Sequence, residues 1–166
     1  MDREYSIPKH SFTALVELEG LPPTRLRLFL AEAAATHTGP ERPSDLLEGP
    51  NDYLPANDEQ GVFHVVKRDT IRILETDAHF QDDEQGFASS AVPSHRTLVS
   101  VEVTMNDGSR LRGTIGYEMP EGRRRLQDYL NSTTRFLPLR DKDTIRFINS
   151  RCVALVTQGG RMEGTQ

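Results

Sequence analysis

The sequence predicts a mainly β protein with short helices, arranged as two homologous small five-stranded bent sheets or barrels. Three observations predict this fold class: an internal repeat, apolar residues at every second position early in each copy, and turn signals between short apolar runs. Each copy is predicted to place one short helix between its second and third strands. The chain of 166 residues should therefore hold two small units instead of one large core.

The repeat becomes visible when the two halves of the chain are aligned. Residues 16–30 match residues 101–115 without a gap, which places Val16 over Val101. Further along, the matched positions are Arg42, Asp45, Leu47, Leu54 and Pro55 in the first copy, and Arg125, Asp128, Leu130, Leu137 and Pro138 in the second. Because these residues recur, we interpret them as determinants of the fold.

The repeat and the composition also predict where the units begin and end. An N-terminal arm is expected at 1–13, the first β-rich unit at 14–75 and the second at 97–158. The polar, unpatterned stretch 76–96 is expected to be a flexible acidic linker, and 159–166 a disordered tail.

The first two strands of each unit are predicted to form a hairpin. Residues Asn106–Gly108 are a strong turn signal between two alternating runs. With this turn, Glu102 falls opposite Arg112. The same register would place Glu17 opposite Arg27 in the first copy.

A short helix is predicted to follow each hairpin. Pro43 suits the first turn of a helix in the first copy. In the second copy, Leu126, Tyr129 and Leu130 have i, i+3, i+4 spacing, and Asn131 is the predicted C-terminal cap.

Three short strands should complete each unit. The third strand carries a Leu-Pro pair in both copies, and because proline has no N–H it should lie at an edge, a bulge or a strand end. The last two strands are predicted at 62–66 and 70–74 in the first copy, and at 144–148 and 152–156 in the second.

The two units differ in charge. Residues 14–75 carry 11 acidic and 6 basic side chains, a net charge of −5, whereas residues 97–158 carry 7 acidic and 10 basic side chains, a net charge of +3. This difference predicts a separate partner for each unit, or attraction between an acidic and a basic unit.

Composition and spacing disfavour several classes of function. Cys152 is the only cysteine, and no apolar run reaches the length of a membrane span, which favours a cytoplasmic protein without membrane insertion. The five histidines have no metal-ligand spacing, so neither a metal nor a cofactor is predicted. Asp45 and Asp128 are matched carboxylates, but pairing with arginine is the favoured interpretation, and catalysis is not expected.

Two stretches carry resemblances to other proteins. The box Arg125-x-x-Asp128-x-Leu130-Asn131, followed by Phe136-Leu137-Pro138-Leu139, resembles a signature of uncharacterised bacterial proteins of unknown function, and this resemblance implies no activity or catalytic residue. Val101-x-Val103, Asp107-Gly108 and Leu111-x-Gly113 resemble the opening of Sm-like small β-barrels, which implies an architecture only.

Arginines form the one concentrated basic feature of the sequence. Arg110, Arg112, Arg123 and Arg124 are the candidate binding residues for the phosphates of a nucleic acid. The structural alternative pairs Arg112 with Glu102 across the hairpin, and Arg125 with Asp128 along the helix.

The favoured function is a non-enzymatic bacterial adaptor or assembly component that acts through protein–protein contacts. Exposed strand edges and the opposite charges of the units would provide those contacts, and copies of the chain could associate head to tail. The alternative is a nucleic-acid-binding module that uses the arginines of the second unit. A ligand sensor that binds a small molecule between the units is a third hypothesis.

Overall fold

The computed structural model describes residues 9–34, 37–82, 97–118, 125–132 and 135–159. Most of these residues lie in antiparallel β-strands, which confirms the predicted mainly β class. The chain divides into two compact units, Met1–Thr76 and Asp77–Gln166, called unit 1 and unit 2 below.

Unit 1 contains the first strands of the chain and one short helix. The strands pair in the order β5-β1-β2-β3-β4, and helix α1 lies between β2 and β3. The elements are β1 (Lys9–Leu18), β2 (Thr24–Ala31), α1 (Pro43–Leu47), β3 (Tyr53–Asp58), β4 (Phe63–Lys67), a 3₁₀ turn (Arg68–Thr70) and β5 (Ile71–Asp77).

Unit 2 follows the same order of elements after an opening 3₁₀ turn (Ala78–Phe80). Its strands pair in the order β10-β6-β7-β8-β9, and α2 lies between β7 and β8. The elements are β6 (Thr97–Met105), β7 (Arg110–Tyr117), α2 (Leu126–Ser132), β8 (Phe136–Asp141), β9 (Thr144–Asn149), a 3₁₀ turn (Ser150–Cys152) and β10 (Val153–Gln158).

Alternating side chains build the core of each unit. Successive side chains of a strand point to opposite faces, so every second residue faces the core. The buried residues are Phe12, Ala14 and Val16 of β1 and Leu26, Leu28 and Leu30 of β2 in unit 1, and Val101, Val103 and Met105 of β6 in unit 2.

The hairpin registers correct the gapless alignment of the two copies. Val16 faces Thr24 in unit 1, and Val103 faces Leu111 in unit 2. In hydrogen-bond register, Val16 therefore corresponds to Val103 and not to Val101. A shift of two residues keeps every side chain on the same face of the sheet, so the apolar pattern alone does not distinguish the two alignments.

This shift also explains why the predicted Glu17–Arg27 pair is wrong. Thr13 is the residue that faces Arg27 on β2. Glu17 instead accepts a hydrogen bond from the Arg72 guanidinium of β5.

The third and fourth strands pair in the same register in both units. Leu54 faces Val66, and Leu137 faces Ile148, so the two leucines occupy corresponding places. Pairing between β2 and β3 runs only from Leu26–Leu28 to Ala56–Asp58. Pro55 therefore lies beyond that pairing, where a missing N–H costs no hydrogen bond to β2.

The predicted arm and linker are partly ordered. Strand β1 begins at Lys9, so residues 9–13 belong to the sheet and not to an arm. Strand β5 continues to Asp77, and Asp82 accepts two hydrogen bonds from the Arg140 guanidinium, at 2.7 and 2.6 Å. These contacts fix the first part of the predicted tether. Residues 83–96 of the linker and 160–166 of the tail lie outside the described part of the chain.

The two helices differ in how they are held. Leu47 of α1 is fully buried, as expected for its apolar stripe. Helix α2 has no buried residue among those described. It is held in part by Tyr129, whose ring stacks on that of Tyr117 with 4.8 Å between centroids. Asn131 lies within α2, so its predicted role as the C-terminal cap is wrong.

Two small residues of unit 2 are tightly enclosed. Cys152, which forms no disulfide, is 2% exposed and lies in the 3₁₀ turn before β10. Gly113 of β7 lies against β8, where a Cβ atom would overlap the backbone oxygen of Arg140 and lie 2.8 Å from Leu139 Cγ. A side chain larger than hydrogen therefore does not fit at Gly113.

Candidate functional site

The predicted arginine cluster is only partly described by the structure. Arg112 faces Glu102, as predicted, and its Nε donates to Glu102 Oε2 at 3.1 Å. Arg110 is exposed at the start of β7. Arg123 and Arg124 lie outside the described residues. Since Arg112 already pairs with a carboxylate, its charge is partly neutralised within unit 2.

The matched carboxylates of the two units lie beside the starts of helices. Asp45 accepts a hydrogen bond from the backbone N–H of Arg42 at 2.9 Å and lies 2.7 Å from His37 Nε2. In unit 2, Arg125 Nε lies 3.9 Å from Asp128 Oδ2. The capping contact gives Asp45 a structural role at the start of α1, whereas the long and exposed Arg125–Asp128 contact contributes little to α2.

Asp45 and His37 perturb one another. The hydrogen bond with Asp45 raises the pKa of His37, and a hydrogen bond with the Thr38 carbonyl adds to this effect. Partial burial alone would raise the pKa of Asp45, but the hydrogen bonds from His37 and the Arg42 amide together hold it below its usual value. The pair therefore favours a protonated imidazole beside an ionised carboxylate.

Asp58 fixes the turn that leads into β4. Its Oδ1 accepts hydrogen bonds from the backbone N–H groups of Gln60 and Val62, both at 2.9 Å. Its Oδ2 lies 2.9 Å from His64 Nε2. The hydrogen bond with His64 is the main cause of the lowered pKa of Asp58, and the Val62 amide adds to it. This turn sets the direction of β4.

Strand β4 and the start of β3 expose a group of large apolar side chains, called the β4 strip. It consists of Tyr53, Phe63 and Val65, which are 56%, 62% and 57% exposed. Phe63, Val65 and Lys67 alternate along β4, and Tyr53 faces Lys67 across the β3–β4 pair, so all four point to the same side.

The corresponding positions of unit 2 are covered. They hold Phe136, Ile145 and Phe147, which are 5%, 1% and 1% exposed. Phe136 opens β8 as Tyr53 opens β3, and Phe147 faces Pro138 as Val65 faces Pro55. The same face of the same strand pair is thus exposed in unit 1 and buried in unit 2.

The last strands show the opposite difference. Val153 and Leu155 are the first and third residues of β10, where Ile71 and Ile73 stand in β5. Leu155 is 52% exposed, whereas Ile73 is 9% exposed and Ile71 is fully buried. The last strand of unit 2, β10, is therefore exposed at positions that are buried in β5, the last strand of unit 1.

Strand β4 also presents free backbone groups. Among the described strands, its neighbour is β3 alone. At its two ends, Asp58 N–H donates to the Val62 carbonyl and Arg68 N–H donates to the Asp52 carbonyl. Because hydrogen-bonded pairs alternate with non-bonded pairs in an antiparallel ladder, the N–H of Val65 points away from β3.

Strand β10 has the same property. Within the described part of the chain it pairs with β6 alone. Gly159 N–H donates to the Ser100 carbonyl, and the same alternation directs the N–H of Val156 away from β6. Both strands can therefore accept a further strand.

The structure gives less support to other kinds of site. Each unit has an open groove, and that of unit 2 is lined by Ser100, Val101, Glu102, Arg112, Gly113, Thr114, Asp141, Thr157 and Gly159. Small-molecule sites usually enclose most of the surface of the ligand, which these open grooves do not. No group of three or more His, Cys, Asp or Glu side chains converges among the described residues. None of the described helices is long and apolar enough to cross a membrane.

Sequence reasoning predicted β4 and β10 as strands but missed their exposed surfaces. A signal was present, because residues 62–66 (apart from His64) and 152–156 are apolar on both faces of the strand. Strands that are covered on both faces have this composition. In β4 and β10, however, one side of the strand is open, so apolar side chains are exposed there.

No family model, curated protein or solved structure matches this chain. The exposed strand surfaces of the two units are therefore the basis for assigning a function.

Proposed function

We propose that the chain is a non-enzymatic cytoplasmic assembly component that binds protein through exposed strand surfaces. In this proposal the two units are tandem copies of one small five-stranded domain, each with a helix between its second and third strands. The β4 strip of unit 1 is the main contact surface.

The difference in burial between the units carries this proposal. Tyr53, Phe63 and Val65 are each more than half exposed, whereas their counterparts in unit 2 are almost fully buried. A contiguous exposed apolar patch on a soluble protein is typical of an interaction site. Because the same face is buried in unit 2, we interpret the β4 strip of unit 1 as a packing surface.

The open strand edges support strand addition as the mode of binding. Natural proteins protect exposed edges with charged residues, prolines or bulges. Strand β10, Val153–Gln158, contains no charged residue and no proline. Such an edge can pair with another strand through backbone hydrogen bonds, while apolar side chains add affinity.

Site-specific photo-cross-linking in living cells tests this function. A photoreactive phenylalanine analogue replaces Phe63 in one variant and Leu21 in the control, because Leu21 is similarly exposed but lies in the β1–β2 turn. We expect protein adducts at position 63 and few at position 21. Equal adduct yields at the two positions, or none at position 63, would refute the proposal.

The alternative function is nucleic-acid binding by unit 2. Its support is the exposed Arg110 together with the net charge of +3 of residues 97–158. It predicts retardation of RNA or DNA on a gel with a steep dependence on salt. The double variant Arg123→Ala, Arg124→Ala should weaken that binding, and an unchanged affinity would exclude these two arginines.

A further inference from the structure

We infer that the partner of the β4 strip is strand β10 of a second copy of this chain. This inference rests on the proposed function, because it takes β4 as the contact surface and adds the identity of its partner. Strand β10 of one copy would pair with the open side of β4 in the next copy and cover its apolar side chains.

The first argument is that the two units expose different strands. The exposed strand is the fourth of the five in unit 1 and the last of the five in unit 2. In unit 1 the last strand, β5, is mostly buried and β4 is exposed, whereas in unit 2 β9 is mostly buried and β10 is exposed. Each chain thus carries one exposed surface of each type. A contact between β4 of one copy and β10 of another would cover both types in a single interface.

The second argument comes from the backbone. Strand β4 has five residues and β10 has six, so their lengths match closely. The N–H of Val65 and the N–H of Val156 both point to the open sides of their strands. Each strand therefore offers donors and acceptors at the spacing that the other requires.

The third argument is charge. Strand β4 lies within residues 14–75, which carry a net charge of −5, and β10 lies within residues 97–158, which carry a net charge of +3. Contact between unlike units attracts, whereas contact between two copies of unit 1 would repel. Because β10 itself is uncharged, it brings no repulsion to Lys67 on β4. The charges therefore favour head-to-tail contact over a symmetric one.

A head-to-tail contact has a definite consequence for assembly. Because it joins two different surfaces, it repeats from copy to copy and forms either a closed ring or an open filament. Blocking either surface in every copy should stop assembly completely.

Two proline variants of the full-length chain test the inference. Val65→Pro removes an N–H from the open side of β4, and Val156→Pro removes one from the open side of β10, without removing a bond within either unit. In size-exclusion chromatography with light scattering, we expect multimers of the natural chain and monomers of each variant alone. An equal mixture of the two variants should form a one-to-one dimer, because one supplies an intact β4 and the other an intact β10.

Chemical denaturation of each variant shows whether it is folded. If either proline variant unfolds, Phe63→Ser and Leu155→Ser replace the pair, because both side chains are exposed and their loss leaves the cores intact. The double variant Val65→Pro, Val156→Pro should remain monomeric in every mixture.

The possible outcomes separate this inference from the proposed function. A natural chain that stays monomeric at all concentrations, or a variant mixture without dimers, overturns the inference. If position 63 nevertheless forms cross-links to a different protein in cells, the proposed function stands. If position 63 forms no cross-links to protein, the proposed function fails as well.

Discussion

Gly113 shows how the absence of a side chain determines the path of a strand. A Cβ atom at this position would overlap the Arg140 carbonyl oxygen and crowd Leu139. Strand β7 can therefore approach β8 closely only with glycine here.

We expect Gly113→Ala to lower the free energy of unfolding by about 1–3 kcal/mol, because the extra methyl group forces the two strands apart. Urea denaturation followed by circular dichroism measures this change. The neighbouring Thr114→Ala serves as the control, with an expected change below about 1 kcal/mol. Equal effects of the two substitutions would contradict the close approach of the strands.

The His37–Asp45 contact should make stability depend on pH. Asp45 raises the pKa of His37 above its ordinary value of 6.5. The stabilisation by protonated His37 is therefore complete below the pKa of this histidine in the unfolded chain. It is lost as the pH rises through the higher pKa that His37 has in the folded protein. The lowered pKa of Asp45 acts in the opposite direction, because its contribution is present above 3.8 and is lost in acid.

We expect His37→Gln to reduce the loss of stability that the natural chain shows as the pH rises from 6.5 into the alkaline range. Denaturation midpoints across this range, compared with those of the exposed control His10→Gln, measure the difference. The idea fails if His37→Gln and the natural chain lose stability in parallel.

At the scale of elements, Arg68 joins the loop after α1 to the turn after β4. Its buried guanidinium donates to the carbonyl oxygens of Gly49 at 2.5 Å and Asn51 at 2.7 Å, and to Asp52 at 3.2 Å. The side chain is only 2% exposed. The loop after α1 is therefore held at three residues by the guanidinium of Arg68.

We expect Arg68→Met to destabilise the protein by about 3 kcal/mol, because it leaves buried carbonyl groups without a donor. The control is Arg25→Met, since Arg25 is exposed and 3.6 Å from Glu59. That substitution should change the free energy of unfolding by less than about 1 kcal/mol. A similar result for both variants in chemical denaturation would argue against the role of Arg68.

The strands were largely predictable from sequence, whereas their register and exposure were not. Alternating apolar residues and the Asn106–Gly108 turn are local signals, so β6, β7 and β9 were predicted close to their observed positions. The two-residue shift between the hairpins was missed because it leaves every side chain on the same face.

The candidate site was harder to predict than the fold. Whether Phe63 is exposed and Phe147 is buried depends on what covers each strand, and no local pattern records that. The role of Arg68 was also missed, because its partners lie 16 to 19 residues earlier in the chain.

At the scale of the whole molecule, the opposite net charges of residues 14–75 and 97–158 should govern assembly. If unlike units meet between copies, added salt screens their attraction. We expect the multimers of the natural chain to dissociate progressively as sodium chloride rises, as measured by light scattering at constant protein concentration. The dimer formed by mixing Val65→Pro and Val156→Pro should dissociate with salt in the same way. If the measured mass does not depend on salt, attraction between opposite charges does not drive the contact.

The enclosed thiol of Cys152 gives the chain an internal probe. A thiolate reacts with alkylating reagents only when it is accessible, so Cys152 should be protected while its turn remains folded. We expect iodoacetamide to label the native protein far more slowly than the denatured protein, as measured by mass spectrometry. The rate of alkylation then reports how often the end of unit 2 opens, and rapid labelling under native conditions would show that this turn opens readily.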